Sequence, residues 1–364
     1  MDTSTQRIGR KESERRVCRG EPVILTAGPS GWPKVSGSRL RGSFATRAGR
    51  VGATIERTVV DGGGAMRAVL RTGPRAVALA AVSALVLLVG CTTAQPATSP
   101  SPATAARASS PATLEAERDL VVDGRHFKAQ CAGQGPSVLL VNSYGSEMEF
   151  WGDLPTRLGA TARTCMYDRL GVARSDSPPP VQTFEDIAAD LDGVISALRL
   201  PRPVVLVAHG LGGPIAVTWA AKHRPDARAL VLLDADPPGW QAALPSLLPP
   251  PDPADPELTG MFEGIRRFND PSTNRESLDP GAWAAHDRIS RLDVPLWVIV
   301  PEQPPRLPAA VDAAKFAVAW NAGQRRLAGV SSDSHLVTAE GADSIIWLWR
   351  LDLVLSTVAD AMTP

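Results

Sequence analysis

From about Leu120 onward the chain alternates short apolar runs with stretches of helical period. The runs 137–142, 163–167, 204–208, 229–234 and 294–300 are short and apolar, most of them rich in Val, Leu and Ile, the signature of strands buried on both faces. Between them Ile187, Leu191, Val194, Ile195 and Leu198 recur at helical spacing and predict one apolar stripe over 184–198. Pro214 stands in the first turn of the next expected helix, where a missing N–H costs nothing. Strands alternating with helices predict an α/β fold, a mostly parallel twisted sheet flanked by helices. Residues 237–292 break the alternation and are rich in Pro and Asp. Structureless loops of that length are uncommon, so they predict a small cap inserted between core segments 117–236 and 293–364.

Upstream the pattern is different. Arg67, Arg71 and Arg75 precede an uncharged apolar run over 76–89, which closes on Leu88-Val89-Gly90-Cys91. The run is short for a bilayer span, which takes roughly 20 apolar residues, and suits the core of an export signal. Its closing residues resemble the lipobox of bacterial lipoproteins, which implies cleavage before Cys91 and lipid attachment to its sulfur. Residues 66–90 are therefore expected to be a lipoprotein signal peptide and residues 91–116 an Ala/Thr/Ser/Pro-rich tether. The folded part would be exported and held on the outer face of the bacterial cell membrane by the anchor at Cys91. Residues 1–65 carry 12 Lys and Arg against 6 Asp and Glu, show no sustained period and are assigned no fold. A signal is read at an N-terminus, so translation is expected to begin at Met66.

Charge and cysteines refine this picture. The formal net charge of zero hides an acidic body, because 91–364 holds 23 basic against 32 acidic residues. That balance argues against a nucleic-acid partner, whose phosphates demand basic surface. With Cys18 in the leader and Cys91 taken by lipid, Cys131 and Cys165 remain. Export favours a disulfide between them over two separate buried thiols.

The chemistry concentrates at 204–213, Val-Val-Leu-Val-Ala-His-Gly-Leu-Gly-Gly, a strand running into a glycine-rich turn. In the elbow G-x-S-x-G the central serine is lifted above the sheet as a nucleophile. Here that position is Gly210, which has no side chain to attack with.

Together with Tyr167-Asp168-Arg169-Leu170-Gly171-Val172-Ala173-Arg174-Ser175-Asp176 and the strand ending at Asp234, the turn makes most of 120–361 similar to the α/β-hydrolase fold family. In particular it resembles the exported actinobacterial branch with a Y-D-R-x-G loop. The resemblance implies hydrolysis by a nucleophile, an acid and a histidine in that order. It places the acid at Asp234 or Glu302, and it puts Ser344 where the histidine belongs. The oxyanion hole would come from Leu211 and a donor near Tyr144 or Gly145, in a segment one residue shorter than the branch shows. The family's sheet makes the second and fourth strands neighbours, which brings Cys131 and Cys165 together.

Loss of the hydroxyl or of the imidazole alone disables acyl transfer. Of the five histidines, His126, His209, His223, His286 and His335, none lies beyond position 335, and His209 is expected to serve packing. A dinucleotide-binding unit is the rival reading of Gly210-x-Gly212 with Asp234, but Ile215 replaces the third glycine. Neither a cofactor nor a metal is expected, since no spacing of the H-E-x-x-H kind occurs.

The sequence therefore predicts a pseudo-hydrolase of the cell envelope that binds a small apolar ligand or an envelope protein, with Trp347 and Trp349 lining or plugging its pocket or packing in the core. The alternative is an esterase-like hydrolase with weak or non-standard catalysis, for which Ser143 or a metal-activated water would be the nucleophile.

Overall fold

The computed structural model describes residues 110–363, together with two short strands, Thr26–Ala27 and Pro33–Lys34, that pair antiparallel with each other. The rest of the leader, the 66–90 signal, Cys91 and the tether up to residue 109 lie outside the described residues.

Eight strands form one sheet. β1 (Arg118–Val122) and β2 (Arg125–Ala132) make an antiparallel hairpin whose two turn residues, Asp123 and Gly124, both take positive φ, the geometry that matches strand twist. The others are β3 (Ser137–Val141), β4 (Arg163–Tyr167), β5 (Val204–His209), β6 (Ala227–Leu233), β7 (Leu296–Pro301) and β8 (Ser334–Ala339). Their order across the sheet is β1-β2-β4-β3-β5-β6-β7-β8, with every pair from β4 to β8 parallel and β2 antiparallel to β4. All of β3 and all of β5 are buried, as their unbroken apolar runs require. The run from 294 forms a strand only from Leu296, because Pro295 has no N–H to give a ladder.

Helices cover both faces. α1 (Leu154–Leu158) comes first; α2 (Phe184–Ala197) starts at a capping box in which Thr183 and Asp186 exchange side-chain and backbone hydrogen bonds. α3 (Gly212–Lys222) is buried through Ala220. One core lies under α2 and α3; the other, on the opposite face, is filled by Trp151, Trp347, Val354 and Val358.

Within 237–292 lie α4 (Trp240–Leu247), α5 (Pro256–Phe268) and α6 (Ala282–His286). The small cluster built on Trp240, Leu244 and Leu258 also takes Phe316 and Trp320 from α7 (Ala313–Ala328), so the cap shares a helix with the core. α8 (Ile346–Trp349) and α9 (Leu351–Met362) close the chain. Among the described residues no helix is long and apolar enough to cross a membrane.

Cys131 and Cys165 stand directly opposite each other in the β2–β4 register, both fully buried and joined by a disulfide with a Cα–Cα distance of 4.0 Å. The bridge ties the antiparallel hairpin to the parallel body, closing a span of 34 residues, which stabilises by about 3 to 4 kcal/mol in the chain-entropy treatment.

Candidate functional site

β5 delivers His209 and Gly210 to the carboxyl end of the sheet, where a ligand crevice forms in open α/β folds. Gly210 has φ +52°, the left-handed conformation of an elbow, and its carbonyl accepts the N–H groups of Gly213 and Asp236. A side chain there would be doubly penalised. The backbone is one that L residues rarely adopt, and a Cβ would overlap the Ser143 hydroxyl. The volume a nucleophile would need is therefore held by Ser143, a half-buried residue of the loop after β3. Gly212 is required for another reason, since a Cβ would strike the Val141 carbonyl as α3 leaves the sheet.

Of the two expected acids, only Asp234 reaches the elbow. It follows β6 with φ +44° and is 3% exposed; burial pushes its carboxyl up to about 7, tempered by the nearby Ser344 and Trp320 side chains. Glu302 lies exposed beyond β7, where it accepts the Gly341 N–H at 2.8 Å and fastens the turn after β8.

Ser344 is buried, and its Oγ lies 3.2 Å from His209 Nε2. A serine, an imidazole and a carboxyl thus meet, and His209 does more than the packing expected of it. Their order differs from that of a catalytic triad. There the imidazole stands between hydroxyl and acid, and the acid holds its Nδ1–H. Here the hydroxyl stands between them, and both His209 Nδ1 and Asp234 Oδ2 have no hydrogen-bond partner. Burial pulls the His209 imidazole down to about 4, so the ring is neutral near pH 7, and no acid is placed to stabilise it as a cation.

Aromatic rings close the space around it. Trp347, 2% exposed, meets the His209 ring edge-on at 5.2 Å, Trp151 lies 4.5 Å from Trp347, and Phe150 covers both His209 and Trp347. Trp347 therefore plugs the position and packs the core at once. Trp349, 59% exposed, does neither.

The loop expected to supply an oxyanion donor is also engaged. The Gly145 N–H donates to Glu276 Oε1 at 2.6 Å, so an expected donor is taken by a carboxylate of the cap. Glu276 is fully buried and grips Arg169 through two hydrogen bonds, from Nε at 2.8 Å and from NH2 at 2.9 Å. Arg169 donates onward to the carbonyls of Asn142 and Ser143. Burial opposes its charge, and the Glu276 carboxylate more than offsets this, so Arg169 stays cationic. Tyr144 is turned away, accepting the Arg275 N–H through its hydroxyl and setting its ring edge-on to Phe268 at 4.9 Å. Leu211, the other expected contributor, is buried at the start of α3.

The sequence reading missed Glu276, Phe150 and the space-filling role of Ser143. Arg169 carried the one usable signal, since a buried arginine in a loop between strand and helix demands a carboxylate partner. Nothing in the order of the cap residues singled out Glu276 from its acidic neighbours.

On the cap, an open depression of about 260 Å³ is lined by Pro251, Pro253, Phe262, Glu263 and Arg266, and a smaller one of about 120 Å³ is lined by Phe262, Leu244 and Leu248. Among the described residues no group of three or more His, Cys, Asp or Glu is placed to hold a metal ion.

Residues 136–264 match the family model described as the alpha/beta hydrolase fold. Among curated proteins the chain is similar to Uncharacterized protein YqjL of Bacillus subtilis, 27% identical over 120 residues, which is 32% of this chain and 47% of that protein. It is also similar to Uncharacterized protein Rv2715 of Mycobacterium tuberculosis, 28% identical over 114 residues, 31% of this chain and 33% of that protein. The chain thus spans less than half the length of these relatives. Among solved structures it resembles a thermophilic esterase from Thermogutta terrifontis at 18% identity and a TM-score of 0.49, over 68% of this chain and 100% of the esterase.

Two outcomes follow. Glu276→Gln keeps the shape but leaves Arg169 charged and uncompensated, which is expected to lower unfolding free energy by about 3 to 5 kcal/mol in urea titrations. A change under 1 kcal/mol would mean that water reaches the pair. For Asp234 the folded carboxyl keeps its proton up to about pH 7 while the unfolded chain releases it near the ordinary value of 3.8. Its contribution is therefore complete at low pH and is lost as pH rises through about 7. Asp234→Asn does not titrate, so its melting temperature relative to the parent should rise between pH 5 and pH 8; equal differences at both pH values would contradict a protonated Asp234.

Proposed function

The chain carries the α/β-hydrolase fold, and on that premise we propose that it is a noncatalytic binding protein of the cell envelope. The observation that carries this reading is the filled elbow, where the Ser143 hydroxyl occupies the volume of the missing nucleophile. Three further features support it. The imidazole position is a serine, Glu276 takes the Gly145 N–H, and Trp347 packs onto His209. Acyl transfer needs a hydroxyl, a base placed to deprotonate it and free donors for the developing oxyanion. The occupant in this reading is a small apolar ligand or a protein partner, and the shallow depressions on either side of Phe262 are the apolar surface of the cap it would meet. Export and anchoring through a lipid on Cys91 belong to the same proposal and rest on the run 76–89 and its closing cysteine.

A second reading, weak hydrolysis, has one observation of its own in the 3.2 Å contact between Ser344 Oγ and His209 Nε2. In it the neutral imidazole would take the Ser344 proton directly.

A fluorophosphonate probe separates the two. The full chain is expected to remain unlabelled and to turn over no short-chain ester. Restoring activity needs three changes together, Ser143→Gly to clear the space, Gly210→Ser and Ser344→His. Labelling of the parent at Ser344, abolished by His209→Gln, would replace the first reading by the second. For the anchor, expression with Cys91→Ala in a lipoprotein-processing bacterium should move the protein from the membrane to the soluble fraction; unchanged membrane retention would remove the lipid from the proposal.

A further inference from the structure

The cap leaves the core through a short root in which acidic side chains gather without a cation. β6 ends at Leu233, Asp234 follows with φ +44°, and Ala235, Asp236, Pro237, Pro238 and Gly239 lead into α4. Neutral contacts seat this stretch on the sheet. The Asp236 N–H donates to the Gly210 carbonyl at 3.1 Å, and Gln324 Nε2 of α7 donates to the Ala235 carbonyl at 2.8 Å. The fit is close, since a Cβ on Gly213 would strike the Ala235 side chain and one on Gly323 would strike the Pro237 ring.

The carboxyls have no comparable support. Asp234 is buried and its Oδ2 has no hydrogen-bond partner. Facing it are Asp236 from the root itself, Asp343 and Ser344 from the turn after β8, Trp320 from α7 and, through Ser344, His209 from β5. His209 is kept neutral by burial, so the charges available to this cluster are acidic. Arg326 of α7 lies at the same root but donates to the Pro238 carbonyl at 3.0 Å, and Asp287 of the cap accepts the Gly239 N–H at 2.7 Å. Among the described residues no cation pairs with Asp234, Asp236 or Asp343. Trp320 joins the cluster to the cap: it lies beside Asp234, and its ring meets Trp240, the first residue of α4, edge-on at 4.7 Å.

We propose that the cap root and α4 form a proton-operated hinge, seated on the sheet while Asp234 and Asp236 are neutral and released as they ionise. This goes beyond the binding reading, because it sets when the surface beneath α4 is accessible, to a ligand or to a substrate alike.

The direction follows from what each form does to the two acids. In the seated form burial pushes both carboxyls up to about 7, and a neighbouring acid adds to the effect on each. Ser344 and Trp320 temper this at Asp234 without reversing it. In the released form both meet water and ionise near the ordinary value of 3.8. Seating is therefore strongest in acid, weakens as pH rises from about 4 to about 7 and is level above that, each carboxyl contributing up to about tenfold per pH unit within the window. The buried Arg169–Glu276 pair pins another part of the cap, so release is confined to the side of α4.

Hydrogen exchange of the full chain, corrected for the intrinsic pH dependence of amide exchange, tests this. In the parent the protection of α4 should fall about tenfold or more between pH 5 and pH 7 and stay level from pH 7 to pH 8, with the amides of β3 better protected throughout. Asp234→Asn or Asp236→Asn alone should make the slope shallower, and the two together, which keep the neutral shape, should abolish it. Three results would each overturn the hinge: α4 protection independent of pH in the parent, a slope undiminished in the asparagine variants, or α4 amides exchanging no faster than those of β3.

Discussion

The buried pair of Arg169 and Glu276 decides how the cap meets the core. Taking two charges out of water costs several kcal/mol per ion, so the pair adds little net stability over an apolar pair of the same volume. What it fixes is position. Glu276 comes from the cap, Arg169 from the loop after β4, and the carbonyls and N–H that complete their hydrogen bonds belong to the loop after β3. Three segments distant in sequence are thereby held in one arrangement, and the strand-like stretch around Gln182 and Leu278 is sewn beside them by further backbone bonds. The geometry of the loop after β3 is a by-product of that fastening.

At the elbow the contrast is between side chains present and side chains correctly ordered. Hydroxyl, imidazole and carboxyl all lie within one buried cluster, yet the hydroxyl sits in the middle. A middle hydroxyl can pass a hydrogen bond along, but it separates the base from the group that would hold the base in its productive tautomer. The unpartnered His209 Nδ1 and Asp234 Oδ2 mark the missing link.

Much of the fold was legible in the chain. Five apolar runs gave five of the parallel strands, the stripe over 184–198 gave α2, and the pairing of Cys131 with Cys165 followed once β2 and β4 were taken as neighbours. These features are local, or rest on a family's strand order. The site was legible only where one residue type settles the matter, as glycine does at 210. Ser143 facing Gly210, and Glu276 reaching Gly145, are juxtapositions across 67 and 131 positions. No periodicity records them, because they depend on how loops close in three dimensions. The histidine before the elbow was read as packing, and its contact with Ser344 arises because serine is short enough to leave room for it.

The shared volume of positions 143 and 210 couples them. With a hydroxyl seated over the turn, a side chain placed at 210 meets a collision unless Ser143 gives way. Shortening Ser143 alone leaves the space over a glycine unfilled. Substitutions at these two positions are therefore expected to be non-additive, each setting what the other can hold.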